Sequence, residues 1–594
     1  MDKPFAITLD VGSSLANHTG AWRVERPVYV ELEPPCAHAC PAGENPQRWL
    51  YAAEEGAYEQ AWRRLVEANP FPAVMGRVCY HPCQTACNRG FLDEAVGINA
   101  VERFLGDLAI ERGWALPVPE VTSGRRVLVV GAGPTGLSAA YHLRRLGHDV
   151  TVRDAQTAPG GMMRYGIPAY RLPRTVLDAE IDRLVATGVH LELGARVGDV
   201  LDAEREGFDA ALLAVGAQLG KRAYVPAGEA ARVLDAVTML HDVAEGEAPH
   251  LGRRVVVYGG GNTAVDAART AKRLGATDSV IVYRRTRDRM PAHDSEVAEA
   301  IEEGVRVTWL STIRHASAGR VLIERMVLDE TGFPQPTGEL EELEADSLVL
   351  ALGQETDLSL VEGVPGVSVV DGVIEVDDDL MTGRPGLFAG GDVVPAERTV
   401  TVGIGHGTRA ARAIHAWLGR ADVRPGVAPD ADTAADVGTA SDVGAAPDDG
   451  VGSGGDEGAE PGQLGAHPLT GAQVPGADAA GNPPVATFDQ LNPWYFADAP
   501  HAVRPRLEHA RRTSGFEEVV QGLDVTTAQY EARRCMSCGS CFECDNCYGV
   551  CPDNAVTKLG PGARFRFDYD YCKGCGLCVQ ECPSGSILMV PEVP

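Results

Sequence analysis

The stretch GRRVLVVGAGPTGLSAAYHLRRLGHDVTVRD, residues 124–154, decides the fold of this chain. An apolar run leads into the pattern G-x-G-x-x-G at Gly131, Gly133 and Gly136, and after a helical stretch a second apolar run ends on Asp154. In a dinucleotide-binding unit the first glycine makes a tight turn, the second admits a pyrophosphate and the third lets the helix pack closely. The helix N-terminus faces the phosphates, and the terminal acid accepts hydrogen bonds from ribose hydroxyls. The flanking strands and the acid separate this stretch from an ordinary glycine-rich turn.

A second unit of this kind occupies residues 252–292. Its loop positions are Gly259 and Gly261, with Ala264 in place of the third glycine. Its second strand is followed by Arg284 and Arg285, at the place where the first unit has Asp154. Arginines there remove repulsion against a 2′-phosphate and can bind it, which favours NADP(H) over NAD(H). The alternative is a solvated basic face, because Arg287 and Arg289 extend the run.

Ten of the fifteen cysteines lie within residues 535–582. Eight of them form two runs of C-x2-C-x2-C-x3-C-P, namely Cys541, Cys544, Cys547 and Cys551, and Cys572, Cys575, Cys578 and Cys582. In two-cluster ferredoxins the last cysteine of each run ligates the other cluster. One 4Fe–4S cluster is therefore expected on Cys541, Cys544, Cys547 and Cys582, and another on Cys572, Cys575, Cys578 and Cys551. A disulfide or zinc module is the alternative, but zinc sites rarely pack cysteines so densely.

Five further cysteines lie near the N-terminus, at Cys36, Cys40, Cys79, Cys83 and Cys87. Between them the sequence has the pattern of two short amphipathic helices. Five cysteines exceed the need of one 4Fe–4S cluster and cannot complete two. The cysteine count alone therefore leaves the number of clusters at this end open.

Composition limits the class of protein. The 594 residues suffice for about three to five domains, and a chain with 44% hydrophobic and 23% charged residues is typical of globular proteins. No apolar run of about 18 residues or targeting segment is evident, so a cytoplasmic protein is expected. In a reducing cytosol, clustered cysteines indicate metal binding. The net charge of -30 argues against nucleic acid or an anionic membrane as partner.

The remaining segments complete the expected order. Behind the second nucleotide unit, GLFAGGDVV contains Gly391 and Asp392, a pair that meets the ribityl chain in flavoproteins with two such domains. Residues 425–487 are dominated by Ala, Gly, Asp and Pro with ten acidic residues, so a disordered tether is expected. The aromatic segment that follows, FDQLNPWYFADAP, is expected to dock onto a neighbouring subunit or onto the domain's own surface.

The chain resembles the family of the glutamate synthase small subunit and the electron-entry half of dihydropyrimidine dehydrogenase. The resemblance runs from about Cys36 to Leu418 and is carried by GRVC, GAGPTG, GGMMRYGIPAYRLP, GGGNTAVD, YRR and AGGDVV. It implies a helical domain with two 4Fe–4S clusters, followed by FAD and NADPH sites. Through the same motifs it implies cofactor-binding roles for Pro134, Gly161, Asn262 and Thr263.

The family's motif E-A-x-R-C-x-x-C-G is missing before Cys36 and occurs instead at Cys535 and Cys538. The resemblance therefore implies one N-terminal cluster on Cys36, Cys87, Cys535 and Cys538. It implies a second on Cys40, Cys79, Cys83 and a side-chain oxygen, for which Glu102 fits the family position. Fifteen cysteines and Glu102 then serve four clusters. The alternatives are one N-terminal cluster, with Cys535 and Cys538 uninvolved, and Glu102 as a surface acid.

The expected fold class is α/β, with a Rossmann-like FAD domain that contains an inserted NAD(P) domain, a helical Fe–S domain before it and a ferredoxin-like domain after it. The expected segments are the helical Fe–S domain (1–120), the FAD domain (121–245 and 356–424), the NAD(P)H domain (246–355), the tether (425–487), a connecting segment (488–534) and the ferredoxin-like domain (535–594).

The expected function is electron transfer between NAD(P)H and ferredoxin or the catalytic subunits of a 2-oxoacid oxidoreductase, through FAD and four 4Fe–4S clusters, within a hetero-oligomer. The appended ferredoxin module makes the chain similar to the nicotinamide-linked subunit of phenylglyoxylate dehydrogenase. Its cofactors carry the chemistry, so no side chain is expected to act as acid or base. The alternatives are a glutamate synthase small subunit, and a scaffold or redox sensor that does not turn over.

Overall fold

The computed structural model describes residues 18–592 except 120–121, 222–225, 227–231, 422–473, 561 and 563. The chain divides into two compact units. The smaller unit comprises residues 1–33, 417–495 and 539–594, and the larger one residues 34–416 and 496–538. Among the described residues, no helix is both long and apolar enough to cross a membrane.

Helices account for much of the larger unit and little of the smaller one. The helices are α1 (Pro35–His38), α2 (Pro46–Glu54), α3 (Tyr58–Leu65), α4 (Pro72–Val78), α5 (Pro82–Thr85), α6 (Ile98–Arg112), α7 (Pro134–Arg145), α8 (Met162–Tyr165), α9 (Arg174–Val185), α10 (Asp202–Arg205), α11 (Ala236–Ala244), α12 (Asn262–Arg273), α13 (Asp294–Glu302), α14 (Val400–Ala421), α15 (His509–Arg512), α16 (Val525–Arg533), α17 (Asn546–Val550) and α18 (Leu577–Gln580).

Most strands belong to the two nucleotide sheets or to the antiparallel sheet beside the second of them. The strands are β1 (Glu25–Tyr29), β2 (Arg126–Val130), β3 (Asp149–Arg153), β4 (His190–Glu192), β5 (Ala210–Leu213), β6 (Leu219–Gly220), β7 (Val233–Asp235), β8 (Arg254–Tyr258), β9 (Asp278–Val282), β10 (Arg306–Thr308), β11 (Ser311–Ser317), β12 (Arg320–Leu328), β13 (Pro334–Glu344), β14 (Ser347–Leu350), β15 (Gln354–Glu355), β16 (Val369–Val370), β17 (Val373–Ile374), β18 (Leu387–Ala389), β19 (Val556–Lys558), β20 (Phe565–Phe567) and β21 (Ile587–Pro591).

The first nucleotide sheet has the order β18-β5-β2-β3-β4, and every neighbouring pair is parallel. Four of the five residues of strand β2 are buried, so its apolar side chains follow one another without alternation. This is typical of parallel sheets that are covered on both faces. Strand β18 comes from the chain segment after the second sheet. The predicted FAD domain is therefore assembled from two segments, with the other nucleotide domain inserted between them.

The second nucleotide sheet has the parallel order β10-β9-β8-β14-β7 and carries the antiparallel sheet β11-β12-β13 as an addition. Its edge strand β7 pairs with β14 through Leu234 and Val349. The inserted domain thus begins at β7, ahead of the predicted boundary at residue 246. A strand of three residues is too short to show an alternating pattern, so the sequence did not indicate this boundary.

The helical part of the larger unit consists of α1 to α6 together with α16. Trp49, Leu50, Leu65 and Leu105 form the centre of its core, and Ala528 of α16 packs into the same core. Helix α16 lies in the segment predicted to be a mere connection. It brings the residues just before the ferredoxin-like module into the N-terminal helical core.

The smaller unit is built from both ends of the chain. Strand β1 pairs antiparallel with β21, with Tyr29 opposite Ile587, and β19 pairs with β20. Tyr29, Phe565, Phe567 and Ile587 are buried together. Residues 18–33 therefore belong with the ferredoxin-like module, which differs from the predicted helical domain 1–120.

The expected tether divides into two parts. Residues 425–473 lie outside the described residues. Residues 474–487 have a defined conformation, contrary to the expectation of disorder, because Asp478 closes a turn with the Asn482 N–H at 2.9 Å and Val485 bridges Glu33. Residues 488–495 of the aromatic segment lie on the surface of the ferredoxin-like module: the Asn492 amide donates to the Gln580 carbonyl at 2.8 Å and the Tyr495 hydroxyl to Glu581.

One buried ion-pair cluster stabilises the inserted domain. Glu303 accepts hydrogen bonds from Arg269 at 2.7 Å and Arg273 at 2.7 Å, and all three side chains are almost wholly buried. Replacing one partner of such a cluster leaves buried charge uncompensated, at a cost of about 3 kcal/mol or more. We expect Glu303→Gln to lower the thermal midpoint of unfolding by several degrees, measured by circular dichroism.

Glu302→Gln is the matched control for this prediction. Glu302 is half exposed and pairs with Arg512 at 3.2 Å, and surface pairs contribute about 1 kcal/mol or less. Equal midpoints for the two variants would show that the Glu303 cluster does not stabilise the fold.

Candidate functional site

The loop after β2 has the conformation that a phosphate-binding turn requires. Gly131 has φ +111°, and a Cβ there would lie 2.3 Å from the Ala214 carbonyl oxygen. A Cβ at Gly136 would lie 1.9 Å from the Gly131 carbonyl oxygen, so only glycine allows α7 to pack against this turn. Gly133 is the N-cap of α7 and Pro134 its first residue. The positive end of α7 therefore faces the neighbouring cavity.

Asp154 stands directly after β3 and supports this loop. One carboxylate oxygen accepts the Ala132 N–H at 2.6 Å, and the other accepts the Gln156 N–H at 2.8 Å. Asp154 also lines a cavity of about 360 Å³, together with Gly161 and Gln156. Its interaction with a ribose remains a prediction, while its hold on the glycine loop is evident in the structure.

A second cavity of about 340 Å³ lies where the two glycine loops meet. Its lining combines Gly133, Pro134 and Gly161 of the first domain, Gly261, Asn262 and Thr263 of the second, and Asp392, Arg398 and Thr399 of the returning segment. Val78 and Tyr80 of the helical part line the same cavity. Its glycine-lined wall and its position between the two loops fit a ring system that reaches from the first loop toward the second.

The G-D pair of the returning segment lies at this cavity. The Gly391 N–H donates to the Nδ1 of His406 at 3.0 Å, and burial lowers the pKa of His406. Asp392 lines the cavity, and burial raises its pKa although Arg398 opposes this. A neutral His406 with an accepting Nδ1 thus fixes the turn that presents Asp392.

The loop after β8 opens onto a third cavity, of about 540 Å³. Gly259, Gly261, Thr263, Arg284 and Arg285 line it, and Lys221 adds a third cation that the sequence did not single out. In the described part of the chain, the Arg284 and Arg285 side chains have no hydrogen bond or ion pair. This cavity therefore offers free positive charge at the end of β9.

Other predicted residues near this cavity have supporting positions. Ala264 is fully buried in the domain core, where it serves the close helix packing expected of the third glycine. The Asn262 side chain accepts the His293 N–H at 3.0 Å. Arg287 lies 3.9 Å from Asp294, and Arg289 does not line the cavity, so the basic run divides into cavity and surface residues.

A charged group that the sequence did not reveal borders the 340 Å³ cavity. Arg171 binds Asp266 at 2.8 Å and also Glu296, and Tyr80 stacks on His293 with ring centroids 3.5 Å apart. Burial raises the pKa of Glu296 to about 7, although Arg171 lowers it. These contacts join the helical part, the first domain and the inserted domain. No local motif could have indicated them.

The structure brings Cys36, Cys87, Cys535 and Cys538 together, although up to 502 positions separate them in the chain. Burial raises the pKa of Cys36 well above its usual range, and the charges of Cys535, Cys87 and Cys538 raise it further. The pKa of Cys535 is raised to about 12, mainly by burial and next by the charge of Cys538. This is the first of the two N-terminal groups implied by the resemblance.

The motif residues before Cys535 explain how this group is positioned. Glu531 accepts the N–H groups of Gly97 at 2.6 Å and Ala502 at 2.8 Å. Burial alone would raise the pKa of Glu531, but hydrogen bonds from His501 and these amides lower it to about 2. Arg534 is buried and donates to Glu531 at 2.5 Å and to the Ala95 carbonyl at 3.0 Å. Helix α16 is thereby fixed to the N-terminal helices.

The second N-terminal group contains Cys40, Cys79, Cys83 and Glu102. Burial is the main cause of the raised pKa of Cys83, and the charges of Cys79, Cys40 and Glu102 contribute. Glu102 is buried rather than on the surface, so the alternative of a surface acid is wrong. Burial raises its pKa well above the usual range, and the charges of Glu44 and Glu180 add to this.

Glu44 is a second carboxylate in this group, and no pattern in the sequence indicated it. The Asn69 amide donates to Glu44 Oε1 at 2.9 Å and to Glu102 Oε1 at 2.9 Å. Burial raises the pKa of Glu44 to about 7. After burial, the charge of Glu44 is the largest influence on Cys40, whereas the charge of Glu102 is the largest on Cys79. Either carboxylate could supply an oxygen ligand.

Cys79 also touches the wall of the 340 Å³ cavity. The Thr401 hydroxyl donates to Cys79 Sγ at 3.2 Å, and Thr401 belongs to α14, whose residues Val400 and Gly403 line that cavity. Val78 and Tyr80, on either side of Cys79, line it as well. The cavity and the second N-terminal group are therefore immediate neighbours.

The eight ferredoxin-like cysteines form the two predicted groups. Burial raises the pKa of Cys547 to about 11, and the charges of Cys541, Cys544 and Cys582 contribute. Burial raises the pKa of Cys578 to about 12, and the charges of Cys572, Cys547, Cys575 and Cys551 contribute in that order; Cys547 belongs to the other group, so the two groups are neighbours. The last cysteine of each run thus lies with the first three of the other run.

All fifteen cysteines lie in described residues and all are free thiols, so none forms the disulfide considered as an alternative. Within the part of the chain that the structure describes, no three His, Cys, Asp or Glu side chains converge as ligands of one metal ion. Groups of four thiols, such as those formed by the two C-x2-C-x2-C-x3-C-P runs, fit the cysteine ligation of 4Fe–4S clusters.

Three protein families match successive parts of the chain. Residues 22–114 match Dihydropyrimidine dehydrogenase domain II, 4Fe-4S cluster, and residues 125–413 match Pyridine nucleotide-disulphide oxidoreductase. Residues 540–586 match the 4Fe-4S dicluster domain. The predicted fold class and the predicted FAD, NAD(P) and 4Fe–4S domains are thereby confirmed.

Similar proteins extend this result. The chain is 37% identical to the NADP(+)-dependent formate dehydrogenase subunit beta of Moorella thermoacetica, over 67% of this chain and 62% of that protein. It is 34% identical to the NADPH-Fe(3+) oxidoreductase subunit beta of Geobacter sulfurreducens, over 65% of this chain and 63% of that protein. It is 36% identical to a putative glutamate synthase [NADPH] small chain of Cereibacter sphaeroides, over 60% of this chain and 93% of that protein.

Proposed function

The chain belongs to the family of NAD(P)H-linked FAD and iron–sulfur oxidoreductases that includes the glutamate synthase small chains, and from that premise we propose that it is an electron-transfer subunit. It moves electrons between NAD(P)H and ferredoxin or a partner oxidoreductase. The observation that carries this proposal is the position of Cys79, between two residues that line the cavity at the meeting point of the glycine loops and bound to Thr401.

The residues of the chain supply binding and orientation. Bound FAD supplies the chemistry that links two-electron exchange with a nicotinamide to one-electron exchange with iron–sulfur clusters. The loops at Gly131 and Gly259 direct the two nucleotides toward the 340 Å³ cavity from opposite domains. Asp392 and Thr399 line this cavity and would hold bound FAD, and Tyr80 and Arg171, which line it as well, would contact a bound nicotinamide.

We propose four clusters with sixteen ligands. The ligand sets are Cys36, Cys87, Cys535 and Cys538; Cys40, Cys79, Cys83 and Glu102; Cys541, Cys544, Cys547 and Cys582; and Cys551, Cys572, Cys575 and Cys578. The mutual influence of the thiols on their pKa values supports each set. The second set contains Cys79, whose neighbours Val78 and Tyr80 line the flavin cavity, so a cluster held there would be placed to exchange electrons with bound FAD.

The free arginines at the third cavity support NADP(H) as the nicotinamide cofactor. Each charge-assisted hydrogen bond to a 2′-phosphate contributes about 1.5–3 kcal/mol. We expect Arg284→Ala together with Arg285→Ala to raise the KM for NADPH by about tenfold to a hundredfold and to leave the KM for NADH unchanged. Steady-state reduction of a dye acceptor measures both.

Arg287→Ala is the control, because Arg287 lies toward Asp294 and outside the cavity lining. It should change neither KM by more than about twofold, the size of a surface-charge effect. A double variant that keeps its KM for NADPH would overturn the assignment of these arginines to the 2′-phosphate.

The chain spans less than two thirds of the formate dehydrogenase and NADPH-Fe(3+) oxidoreductase subunits, so the identity of its partner is proposed rather than taken from them. We propose a hetero-oligomer with the catalytic subunits of a 2-oxoacid oxidoreductase, or exchange with free ferredoxin. A glutamate-forming partner is the second candidate, favoured by the coverage of a glutamate synthase small chain over 93% of its length. Fifteen free thiols support a location in the reducing cytoplasm.

Two anaerobic experiments test the proposed function. NADPH added to the purified chain should bleach the flavin absorbance and then reduce an added bacterial ferredoxin. Flavin bleaching without ferredoxin reduction would support a sensor or scaffold instead. Affinity purification from the native host should recover a large oxidoreductase subunit. Recovery of a glutamine amidotransferase subunit instead would replace the first candidate partner with the second.

A further inference from the structure

Hydroxyl groups gather on one of the two ferredoxin-like cysteine groups. The Tyr29 hydroxyl lies 3.2 Å from Cys547 Sγ. The Ser586 hydroxyl lies 3.4 Å from Cys582 Sγ and accepts the Ser584 hydroxyl at 3.2 Å, so Ser584, 3.7 Å from the same sulfur, supports Ser586. All three side chains are buried. Both sulfurs belong to the group Cys541, Cys544, Cys547 and Cys582, here called the hydroxyl-bonded group.

The other group has a different set of donors. Cys551 Sγ accepts the backbone N–H of Ala555 at 3.2 Å, and the Gly574 N–H is bonded to Cys572. Among residues 18–592, outside the segments that the structure leaves undescribed, no hydroxyl donates to Cys551, Cys572, Cys575 or Cys578. We call these four the amide-bonded group. The two runs of cysteines have identical spacing, so this difference does not come from the ligands themselves.

The position of Tyr29 is fixed by its surroundings. Strand β1 holds its backbone opposite Ile587, and its ring stacks on Phe567 with centroids 4.8 Å apart. The ring is 5% exposed, so water does not compete for the hydroxyl. A thiolate that ligates iron carries no proton, which makes the Tyr29 oxygen the donor and Cys547 Sγ the acceptor.

Hydrogen bonds to ligand sulfurs favour the more negative, reduced state of a cluster and so raise its reduction potential. We propose that the hydroxyls of Tyr29 and Ser586, the latter held by Ser584, raise the potential of the cluster on the hydroxyl-bonded group above that of the cluster on the amide-bonded group. This inference rests on the proposed cluster assignment. Tyr29 is then a positioning residue that decides which end of the cluster pair holds a single electron.

The redox step needs nothing beyond the proposed activity. One electron that originates from NAD(P)H enters the pair, no covalent bond forms or breaks, and the hydroxyl proton stays on Tyr29. In the sequence, Cys541 follows Cys538 after two residues. The electron-holding member of the pair is thus the one whose ligands come next in the chain after the N-terminal group.

Tyr29→Phe in the full chain tests the proposal, because it removes the hydroxyl and keeps the ring that stacks on Phe567. Potentiometric titration followed by low-temperature EPR should show one cluster signal at lower potential and the others unchanged. We expect a change of about fivefold to tenfold in the reduction equilibrium, tenfold being about 59 mV for one electron. Ser586→Ala should shift the same signal in the same direction.

Tyr569→Phe is the matched control, because the Tyr569 hydroxyl donates to the Pro27 carbonyl at 2.9 Å rather than to a sulfur. Cys544→Ser assigns the signal, since it alters or removes the signal of the hydroxyl-bonded group. Unchanged potentials in both Tyr29→Phe and Ser586→Ala, with full iron content, would overturn the inference and leave the proposed function intact. A wild-type chain without two such signals would instead overturn the proposed cluster assignment.

Discussion

Replacing Cys535 and Cys538 by serine is expected to remove one 4Fe–4S cluster, about four iron atoms per chain, while FAD remains bound. Both thiols lie in the group with Cys36 and Cys87, and four ligands are needed to hold the cluster. The flavin site is built from other elements, so NADPH should still bleach the flavin. Colorimetric iron and flavin analysis of the anaerobically purified variant measures the effect.

Ser540→Ala is the control for this experiment, because Ser540 stands in the same loop and belongs to none of the four cysteine groups. Its iron content should equal that of the wild type. Electron delivery to ferredoxin should fall at least tenfold in the double cysteine variant and remain in the serine control. Unchanged iron in the double variant would mean that Cys535 and Cys538 are not ligands.

Glu102→Ala is expected to remove a different cluster and to block electron transfer at its first step. Its group contains Cys79, which borders the flavin cavity through Thr401. We expect the loss of about four iron atoms and a drop of at least a hundredfold in ferredoxin reduction, with flavin bleaching by NADPH retained. Stopped-flow absorbance separates the two steps, since flavin and ferredoxin absorb at different wavelengths.

Two further variants identify which carboxylate acts. Glu102→Gln keeps a side-chain oxygen in place and should keep the iron. Glu44→Ala removes the other carboxylate bonded to Asn69 and should also keep it, because Glu102 has the larger influence on Cys79. Iron loss from Glu44→Ala with full iron in Glu102→Ala would transfer the ligand role to Glu44.

Sequence patterns predicted the structure correctly where the residues involved lie close together in the chain. The β2 run, the turn at Gly131 and the close approach at Gly136 all follow from residues within a single strand–helix unit, and the structure places them as expected. The two ferredoxin runs are equally local. Their spacing alone predicted that Cys551 and Cys582 would each lie with the opposite run, and this is how the structure groups them.

Distant contacts needed either a family resemblance or the structure. Cys535 reaches Cys36 only because Glu531 and Arg534 fix α16 to the N-terminal helices, and no periodicity encodes that docking. Glu44 was missed because one acid after a cysteine carries no pattern. The hydrogen bonds from Asn69 to both Glu44 and Glu102 identify Glu44 as a second candidate oxygen ligand.

Two strands, β1 and β7, show the same limit. Strand β1 lies in a segment to which the sequence assigned no chemistry, and β7 is too short for its alternation to be recognised. Both are defined by their partners, β21 and β14, which lie far away in the sequence. Tyr29 therefore acquired a candidate role only once strand pairing had placed its hydroxyl beside Cys547.

The ratio of iron to FAD in the anaerobically purified full chain tests the central claim most directly. Fifteen cysteines and Glu102 as ligands of four clusters predict about sixteen iron atoms per FAD. A ratio of about twelve would mean that one of the two N-terminal clusters is absent and would contradict the four-cluster account. A ratio of about eight would leave only the ferredoxin-like clusters and would contradict electron entry through the group that contains Cys79.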